Sequence, residues 1–365
     1  MSEWQIFYLK DLGKIVGGAT PPTNNPKNYG NKIAWITPKD LSTLQGHYIK
    51  KGSRSISRLG LKSCSCVLLP KHAILFSSRA PIGYVAIAEK RLCTNQDFKS
   101  IIPNKKIYFE FLYYLLKYHK NNLINMGEGT TIKGIYNIAL GLFQVKIPPT
   151  YYEQQKIART LSILDQKIEN NHKINELLHT LAYKIYEYYF KYKPKNAKLE
   201  QIIIENPKSN IMVKNAQKTQ DKYPFFTSGD NILSYPKAII DGRNCFLNTG
   251  GNAGIKFYVG KASYSTDTWC ICANEFSDYL YLLLSSIKNH INQSFFQGTS
   301  LKHLQKNLLK KYPIYMPSAH EIKKFNQIIM PLLSLISINT RISKRLEQIR
   351  DFLLPLLLKQ QVKPQ

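Results

Sequence analysis

The stretch IPPTYYE (residues 147–153) opens a long helical pattern, and IYMPSAHE (314–321) opens another one further along the chain. Each is preceded by a second shared motif, GTTIK (129–133) in the first copy and GTSLK (298–302) in the second. The offset between the copies is 168 residues at the helix starts and 169 at the upstream motifs. Repetition at a nearly constant offset indicates two copies of one structural plan.

Both helical patterns begin with a capping box, in which Thr150 and Glu153, or Ser318 and Glu321, satisfy amides at the helix start. Apolar residues then recur in steps of three and four at the same offset. The matched positions are Ile157, Leu161, Leu164, Ile168, Asn171, Ile174, Leu178, Leu181 and Ile185 in the first copy and Phe325, Ile329, Leu332, Ile336, Asn339, Ile342, Leu346, Ile349 and Leu353 in the second. This spacing is typical of a coiled-coil seam.

An asparagine, Asn171 or Asn339, falls at the same seam position in each copy, and a buried Asn fixes register when it can pair. Pro331 departs from the pattern, and we expect it to kink the second helix or delay its start. The alternative is that each helix covers only its own lobe. A pattern of about 40 residues is longer than that role requires, so we favour the seam.

A lobe of short strands, turns and a few helices precedes each long helix. The predicted strands are Cys64–Leu69, Ala73–Ser77 and Tyr84–Ile87 in the first lobe and Asn244–Asn248, Ile255–Val259 and Trp269–Ala273 in the second; the predicted short helices are Tyr108–Tyr118 and Tyr279–Ile291. We therefore predict an α+β fold of two mixed β-sheet lobes joined by two long helices. The predicted domains are a first lobe at 1–149, a central helix at 150–194, a second lobe at 195–316 and a C-terminal helix at 317–360.

Lys and Arg number 51 against 23 Asp and Glu, which gives a net charge of +28. So large a positive charge favours a polyanionic partner, with nucleic acid first and an anionic membrane second, although a low-GC genome also enriches Lys. The longest apolar stretch, 328–338, is short of the ~20 residues that span a bilayer. With no secretory signal at the N-terminus, we expect a cytoplasmic protein with no membrane partner.

Two C-x-C pairs, Cys64/Cys66 and Cys270/Cys272, lie in apolar, strand-like runs. Residues two apart share one face of a strand, so we expect buried thiols in a reducing compartment. Neither pair has a second Cys or His pair at zinc spacing. We expect no metal site.

The sequence contains no convincing catalytic constellation. Asn206-Pro207-Lys208 lacks the second proline and the aromatic residue of the motif with which amine methyltransferases hold a flipped base, so it indicates a turn. Gly250-Gly251-x-x-Gly254 lacks the Lys-Ser/Thr ending of a phosphate-binding loop and indicates a tight connection between strands. Carboxylates are scattered, and the histidines pair with no obvious nucleophile. We expect no catalytic residue.

Candidate DNA contacts are basic residues in predicted loops, because Arg and Lys bind phosphates and guanine edges. They are Lys50, Lys51, Arg54, Arg58, Arg79 and Lys133 in the first copy and Arg243, Lys256 and Lys302 in the second. A solvated turn is the alternative for the run 50–58. Lys133 and Lys302 occur in both copies, so we expect them to bind phosphate or to pack a lobe on its helix, and not to distinguish bases.

Six segments carry a resemblance to a known family, and it extends over essentially the whole chain. They are 9–21 (LKDLGKIVGGATP), 33–41 (IAWITPKDL) and the pair RAPIG (79–83) with NQDF (95–98) in the first lobe, and YPFFTSG (223–229) with GGNAG (250–254) in the second. Together with the duplication and the two helices, they resemble the specificity subunits of type I restriction-modification systems.

The resemblance implies two target-recognition domains that each recognise half of a split duplex-DNA site. The two helices would pack antiparallel as a spacer; ~40 residues give ~60 Å, under two turns of duplex. Two methyltransferase subunits carrying S-adenosylmethionine, and restriction subunits using ATP and magnesium, would be partners, and this chain would bind no cofactor. An orphan DNA-binding scaffold of the same fold, a fused methyltransferase or nuclease, and an RNA-binding coiled-coil protein remain alternatives.

Overall fold

The computed structural model describes residues 3–129, 133–216 and 222–364. The chain divides into two compact units. Unit 1 comprises Met1–Glu169 with Ile349–Gln365, and unit 2 comprises Asn170–Gln348. Each unit therefore contains one lobe and a part of each long helix. The domain bounds predicted from the sequence separate lobes from helices, and they stay a prediction.

The first lobe and the long helix that follows it are built from short elements in close succession. The strands are β1 (Gln5–Tyr8), β2 (Gly13–Gly17), β3 (Tyr29–Ile36), β4 (Tyr48–Ile49), β5 (Arg54–Ile56), β6 (Ile74–Phe76), β7 (Val85–Ala88), β8 (Cys93–Thr94), β9 (Lys99–Pro103) and β10 (Gln144–Ile147); the helices are α1 (Leu9–Leu12), α2 (Pro38–Ser42), α3 (Arg58–Lys62), α4 (Phe109–Tyr118), α5 (Lys120–Asn125), α6 (Asn137–Gly141) and α7 (Tyr151–Tyr186). A π-helical turn, Glu187–Lys191, extends α7.

The second lobe and its helix follow the same succession. The strands are β11 (Ala197–Lys198), β12 (Ile204–Glu205), β13 (Tyr223–Phe226), β14 (Leu233–Tyr235), β15 (Arg243–Asn248), β16 (Ile255–Val259), β17 (Ser263–Tyr264), β18 (Thr268–Cys272), β19 (Phe296–Gln297), β20 (His303–Leu304) and β21 (Pro313–Ile314); the helices are α8 (Ser277–Ser286), α9 (Lys288–Ser294), α10 (Lys306–Lys310) and α11 (Ala319–Leu358).

The two lobes have similar sheet topologies, with one more strand in the main sheet of the first lobe. The main sheet has the order β2-β9-β6-β7-β4 in the first lobe and β12-β18-β15-β16 in the second. A smaller sheet, β5-β3-β8 or β14-β13-β17, contains a parallel pair in each lobe, β3 with β8 and β13 with β17. Helices α4 and α8 start 168 residues apart, the same offset as the long helices. The predicted α+β fold and its duplication are therefore confirmed.

Each lobe packs on its own parts of the long helices through an apolar core. In unit 1, residues of α4 such as Phe111 and Leu115 share a core with Ile157 of α7 and Leu354 of α11. In unit 2, Tyr279 of α8 shares a core with Phe325 of α11. Burial of these apolar faces explains why helices with modest intrinsic propensity persist over so many turns.

Helix α11 is continuous through Pro331, so the predicted delay of its start is wrong. The capping box forms as expected, with the Glu321 amide donating to Ser318 Oγ and the Ser318 amide donating to Glu321. Beyond the capping box, Phe325 and Ile329 lie in the turns that precede Pro331, and both are fully buried. Proline costs about 3 kcal/mol inside a helix, and the burial of several such side chains at about 1.5–3 kcal/mol each outweighs that cost.

Three further sequence predictions are wrong in detail. Residues 64–69 form no continuous strand, and only Leu69 makes a bridge, to Leu92. The apolar run lacks a neighbouring strand along its length, and β propensity is expressed only where a partner is present. The predicted helix 279–291 is two helices, α8 and α9, interrupted at Ile287. Of the two C-x-C pairs only Cys270 is buried, whereas Cys64, Cys66 and Cys272 are half-buried.

Within unit 2, the long helices run antiparallel and exchange polar contacts. The Asn339 amide donates to Asn175 Oδ1 at 3.0 Å, and the Asn171 amide donates to Ser343 Oγ at 3.2 Å. Residues 171 and 175 correspond to 339 and 343 at the offset of 168, so the two contacts are equivalent when the helices are exchanged. The seam asparagines thus pair across the helices with a position four residues displaced, and not with each other.

The apolar seam is narrower than the sequence pattern indicated. Ile174, Leu181, Ile342 and Ile349 remain 43–49% exposed, although they recur at the seam spacing. Of the other seam positions, Ile157 is buried, and Leu178, Leu332 and Leu353 pack against the cores. Leu164 and Leu346 are half-buried. The contacting stripe follows 171, 175 and 178, so residues 174 and 181 lie to one side of it.

Replacing both Asn175 and Asn339 with alanine tests the register contact. We expect a coupling free energy of about 0.5–1.5 kcal/mol in a double-mutant cycle, since each single variant leaves the other amide without its partner. Chemical unfolding of the four proteins measures it. The same cycle with the exposed Asn170 in place of Asn175 should be additive within about 0.5 kcal/mol. If both cycles are additive, the contact between Asn175 and Asn339 does not stabilise the register of the two helices.

Candidate nucleic-acid interface

Three loops of the first lobe meet at one end of its sheets, and we call them loop cluster 1. They are Ser78–Arg79 after β6, Asn95–Asp97 after β8 and Lys133–Ile135 before α6. The Ser78 amide donates to the Asp97 carbonyl at 2.7 Å, and the Ile135 amide donates to the Ser78 carbonyl at 2.9 Å. Arg79 also forms a β-bridge with Gly134. The backbone therefore brings two predicted contact residues, Arg79 and Lys133, together.

The side chains of loop cluster 1 are oriented by hydrogen bonds. Asp97 accepts from Arg79 Nε and from the Asn95 amide, the latter at 2.6 Å. Gln96 is exposed and accepts from the Thr20 hydroxyl. Burial and the charge of Arg79 lower the pKa of the neighbouring Lys99. The cluster thus presents a guanidinium and an amide, the groups that recognise guanine and adenine edges.

Arg79 retains hydrogen-bonding capacity. Its side chain is 43% exposed, and within the described residues only its Nε donates to a partner. The two Nη groups can therefore donate to an external acceptor in bidentate fashion. Lys133 beside it is exposed. Gln96 and Thr20 were not identified as contacts by sequence reasoning, although 95–98 was among the segments that carried the family resemblance.

The second lobe has an equivalent arrangement, loop cluster 2, formed by Thr249–Gly250, Ser265–Asp267 and Lys302–Leu304. The Thr249 amide donates to the Asp267 carbonyl at 3.2 Å, and the Leu304 amide donates to the Thr249 carbonyl at 3.0 Å. Gly250 forms the bridge that Arg79 forms in the first lobe, here with His303. Lys302, which is exposed, is the residue of loop cluster 2 that corresponds to Lys133 in loop cluster 1.

The two loop clusters share a backbone and differ in side chains. Gly250 stands where the first cluster has Arg79, and the exposed Thr266 stands where it has Gln96. The aspartate that follows is retained, as Asp97 or Asp267. A common frame with different hydrogen-bonding groups is the arrangement expected of two sites that recognise different chemical patterns.

Arg243 was predicted to contact DNA, and in the structure its guanidinium is engaged within unit 2. Its guanidinium forms an ion pair with Asp278 and donates to the Ser334 hydroxyl at 3.0 Å and the Met330 carbonyl at 3.2 Å. The Arg243 side chain is only 16% exposed, and Asp278 is 1% exposed. Arg243 therefore ties β15 to α8 and α11 within unit 2, and its hydrogen-bonding capacity is nearly exhausted.

Lys256 was also predicted to contact DNA, and its ammonium is engaged within the second lobe. Its ammonium donates to the Thr227 carbonyl at 2.7 Å, the Gly229 carbonyl at 2.5 Å and Asn248 Oδ1 at 3.4 Å. These three acceptors use all three donors of a lysine. Burial lowers the pKa of Lys256. The residue supports the loop that follows β13 and has no donor left for a phosphate.

The basic run 50–58 follows β4, includes β5 and ends at the first residue of α3. Lys50, Lys51, Arg54 and Arg58 are exposed, and Lys50 lies 3.7 Å from Glu89. Asp40 accepts the Ser53 amide at 2.7 Å, which fixes the turn before β5. In the β3–β5 ladder, Arg54 lies opposite Trp35, near the carboxyl end of β3. On its other edge β3 pairs with β8, the strand that leads into loop cluster 1. Arg58 starts α3 beyond the other end of β5.

No metal or membrane feature accompanies these loops. In the ranges 3–129, 133–216 and 222–364, no three His, Cys, Asp or Glu side chains are grouped to hold a metal ion. No helix in the same ranges combines the length and the apolar character needed to cross a membrane.

Duplicated α+β lobes, each followed by a long helix and each carrying an equivalent loop cluster, define a two-lobed specificity protein. The family model described as type I restriction modification DNA specificity domain matches residues 1–180 and 195–348. The chain belongs to this family.

One relative matches nearly the whole chain. The type I restriction enzyme MjaIX specificity subunit of Methanocaldococcus jannaschii is 31% identical over 402 residues, covering 97% of this chain and 92% of that protein. A putative type I specificity subunit of Mycoplasma genitalium is 24% identical over 248 residues, covering 63% and 61%. The crystal structure of a type I S subunit from M. genitalium has a TM-score of 0.64 at 18% identity and covers 97% and 96% of the two chains, which shows the same fold.

Proposed function

We propose that this chain recognises a bipartite duplex-DNA site as the non-catalytic specificity subunit of a type I restriction-modification complex. The observation that carries the proposal is the pair of loop clusters with one backbone and different side chains, Arg79 and Gln96 in one and Gly250 and Thr266 in the other. Each cluster would recognise one half of the site, and a different half because its donors and acceptors differ.

Phosphate contacts would supply most of the affinity. The net charge of +28 provides the sequence-independent attraction to duplex DNA. Lys133 and Lys302 occupy equivalent positions beside the clusters, and both are exposed. A residue common to both lobes orients the duplex without distinguishing bases, so we assign these two lysines to phosphates. Arg79 and Gln96 are assigned to base edges.

The sides of the long helices are assigned to partner subunits. In unit 2, Leu177 is 71% exposed, and Leu181, Ile338 and Ile342 are 40–49% exposed. Exposed apolar side chains along helices mark surfaces that other proteins cover. We propose methyltransferase subunits there, which would bring S-adenosylmethionine, with restriction subunits bringing ATP and magnesium; this chain would hold no cofactor. An orphan DNA-binding scaffold would keep the loop clusters and lack these partners.

The test is to co-express the chain with the type I methyltransferase of the same genome and to map modified adenines in host DNA. We expect one split motif, two short specific halves at a fixed spacing, that disappears when the chain is omitted. Modification of a continuous site, or modification that does not require the chain, would contradict the proposal.

A matched pair of variants separates docking from DNA recognition. Leu177→Asp places a charge on the exposed apolar side of α7 and should abolish modification while duplex binding by the chain is retained, because a buried unpaired charge is costly. Thr180→Asp adds the same charge at a neighbouring exposed polar position and should leave modification close to normal. Equal modification by both variants would argue against docking on this surface.

A further inference from the structure

Unit 2 contains a basic pocket of about 580 Å³ that is separate from loop cluster 2. Five cationic side chains line it, Lys222, Lys261, Arg341, Lys344 and Arg345, and among its described lining residues none is acidic. Tyr223, Pro224, Ile232 and Tyr258 supply an apolar wall. Its volume falls within the range of small-molecule sites, about 300–1,000 Å³.

The pocket is held in shape by hydrogen bonds from two of its cations. Arg341 Nη1 donates to the Val259 carbonyl at 3.0 Å and to the Tyr258 hydroxyl at 3.2 Å, and Lys344 donates to the Leu233 carbonyl at 3.0 Å. These bonds join α11 to β14 and β16 across the pocket. The acceptors in these three bonds are neutral, so the bonds position the cations without cancelling their charge.

Four of the five cations are not balanced by carboxylates within the part of the chain that the structure describes. No ion pair to an acidic side chain involves Lys222, Lys261, Arg341 or Arg345 there. Asp241 lines an adjoining cavity, to which Lys261 also contributes. Like charges around a concave surface repel one another and attract an anion.

The equivalent positions of the first copy carry a different set of side chains. At the offset of 168, Arg341, Lys344 and Arg345 correspond to Lys173, Glu176 and Leu177 of α7. Arg341 is matched by another cation, Lys173, whereas Lys344 and Arg345 have no basic equivalent, so the repeated helix pattern does not require basic side chains at those two positions. This asymmetry indicates a role particular to the second copy.

We infer that this pocket binds phosphate groups, carried either by a free nucleotide or pyrophosphate or by the DNA backbone. Arginine forks match phosphate oxygens in bidentate geometry, and several cations around one cavity suit more than one phosphate. The DNA source rests on the proposed function, and the free-phosphate source does not. A bound phosphate would join α11 to the strands of the second lobe and so link ligand binding to the position of that lobe on its helix.

The variant Arg341→Gln/Arg345→Gln tests the inference against the control Lys323→Ala/Lys324→Ala, which removes two exposed charges from the same helix outside the pocket. Calorimetry with pyrophosphate and with ATP measures free phosphates. Binding of a duplex that carries the recognised site, titrated over a series of salt concentrations, measures DNA phosphates. The single variant Arg345→Gln tests the pocket without breaking a structural contact, because Arg345 makes no hydrogen bond within the described residues. Circular dichroism monitors the fold of each variant.

If the source is a free ligand, the pocket variant loses pyrophosphate affinity at least about tenfold relative to the control. If the source is DNA, the logarithm of the binding constant of the pocket variant depends less steeply on the logarithm of the salt concentration. The slope falls by about one to two more than it does in the control, equally for specific and unrelated duplexes. The inference is overturned if the pocket variant and the control agree in both measurements. Wild-type protein that shows no site-specific DNA binding would contradict the proposed function, and the pyrophosphate measurement would still decide this inference.

Discussion

Replacing Asp165 with alanine should destabilise unit 1 by about 3–5 kcal/mol. Asp165 is 5% exposed and accepts from the buried Tyr114 hydroxyl at 2.6 Å and from Arg350 Nη1 at 2.6 Å. The variant leaves the Arg350 guanidinium, 16% exposed, without its buried counter-charge and the Tyr114 hydroxyl without its acceptor. Thermal and denaturant unfolding, monitored in unit 1, measures the loss.

Asp351→Ala is the matched control. Asp351 also pairs with Arg350, at 2.8 Å, but is 53% exposed. An exposed pair contributes about 0–1 kcal/mol, so this variant should unfold close to the wild type. If the two variants lose similar amounts of unfolding free energy, burial is not the reason that the Asp165 contact is stabilising.

The Asp165 contribution should also depend on pH. Burial by itself raises the pKa of this carboxyl, but the charges of Lys117 and Arg350 and the hydrogen bonds from Tyr114 and Arg350 outweigh it and lower the pKa below the ordinary 3.8. A carboxyl with a lowered folded-state pKa stabilises the fold above its unfolded pKa and loses that contribution as pH falls through the folded value. The difference between wild type and Asp165→Asn should therefore be constant near neutrality and shrink below about pH 4.

Arg243→Ala is expected to destabilise unit 2 by a similar amount, about 3–5 kcal/mol, because it leaves the Asp278 carboxylate buried and unpaired. Here burial dominates, and the pKa of Asp278 is raised even with Arg243 present. A carboxyl with a raised folded-state pKa favours folding when it is protonated. The variant should therefore be most stable at acid pH and lose stability as pH rises through the raised value.

A suitable control for Arg243→Ala is Lys261→Ala, an exposed cation of the same lobe with no recorded carboxylate partner within the described residues. It should change the unfolding free energy by less than about 0.5 kcal/mol. If Arg243→Ala were equally mild, and its duplex binding fell instead, the original assignment of Arg243 to DNA would be restored.

The two long helices and the duplicated lobes were predictable because periodic burial leaves a strong pattern in the sequence. The partners of individual polar residues were not. Asn339 pairs with Asn175 because antiparallel helices oppose positions that the repeat alone does not identify. Arg243 finds Asp278 thirty-five residues away, through the packing of β15 on α8. A basic residue in a loop-like segment and one inside an ion pair look alike before the fold is known.

The loop clusters were only partly predictable for the same reason. Arg79 and Lys133 were identified as basic residues, but their proximity depends on the bridge between Arg79 and Gly134. Gln96 became a candidate only when the structure placed it, exposed, beside them. The correspondence of Gly250 with Arg79 is a property of backbone hydrogen bonds that the side-chain sequence conceals.

The central claim is that each lobe recognises its own half of a split site. Its most direct test replaces residues 1–149 with the first lobe of another family member, keeps both long helices and the second lobe, and maps modified adenines with the same methyltransferase. The account predicts that one half of the motif changes while the other half and the spacing are retained. A change in both halves, or in neither, would contradict it.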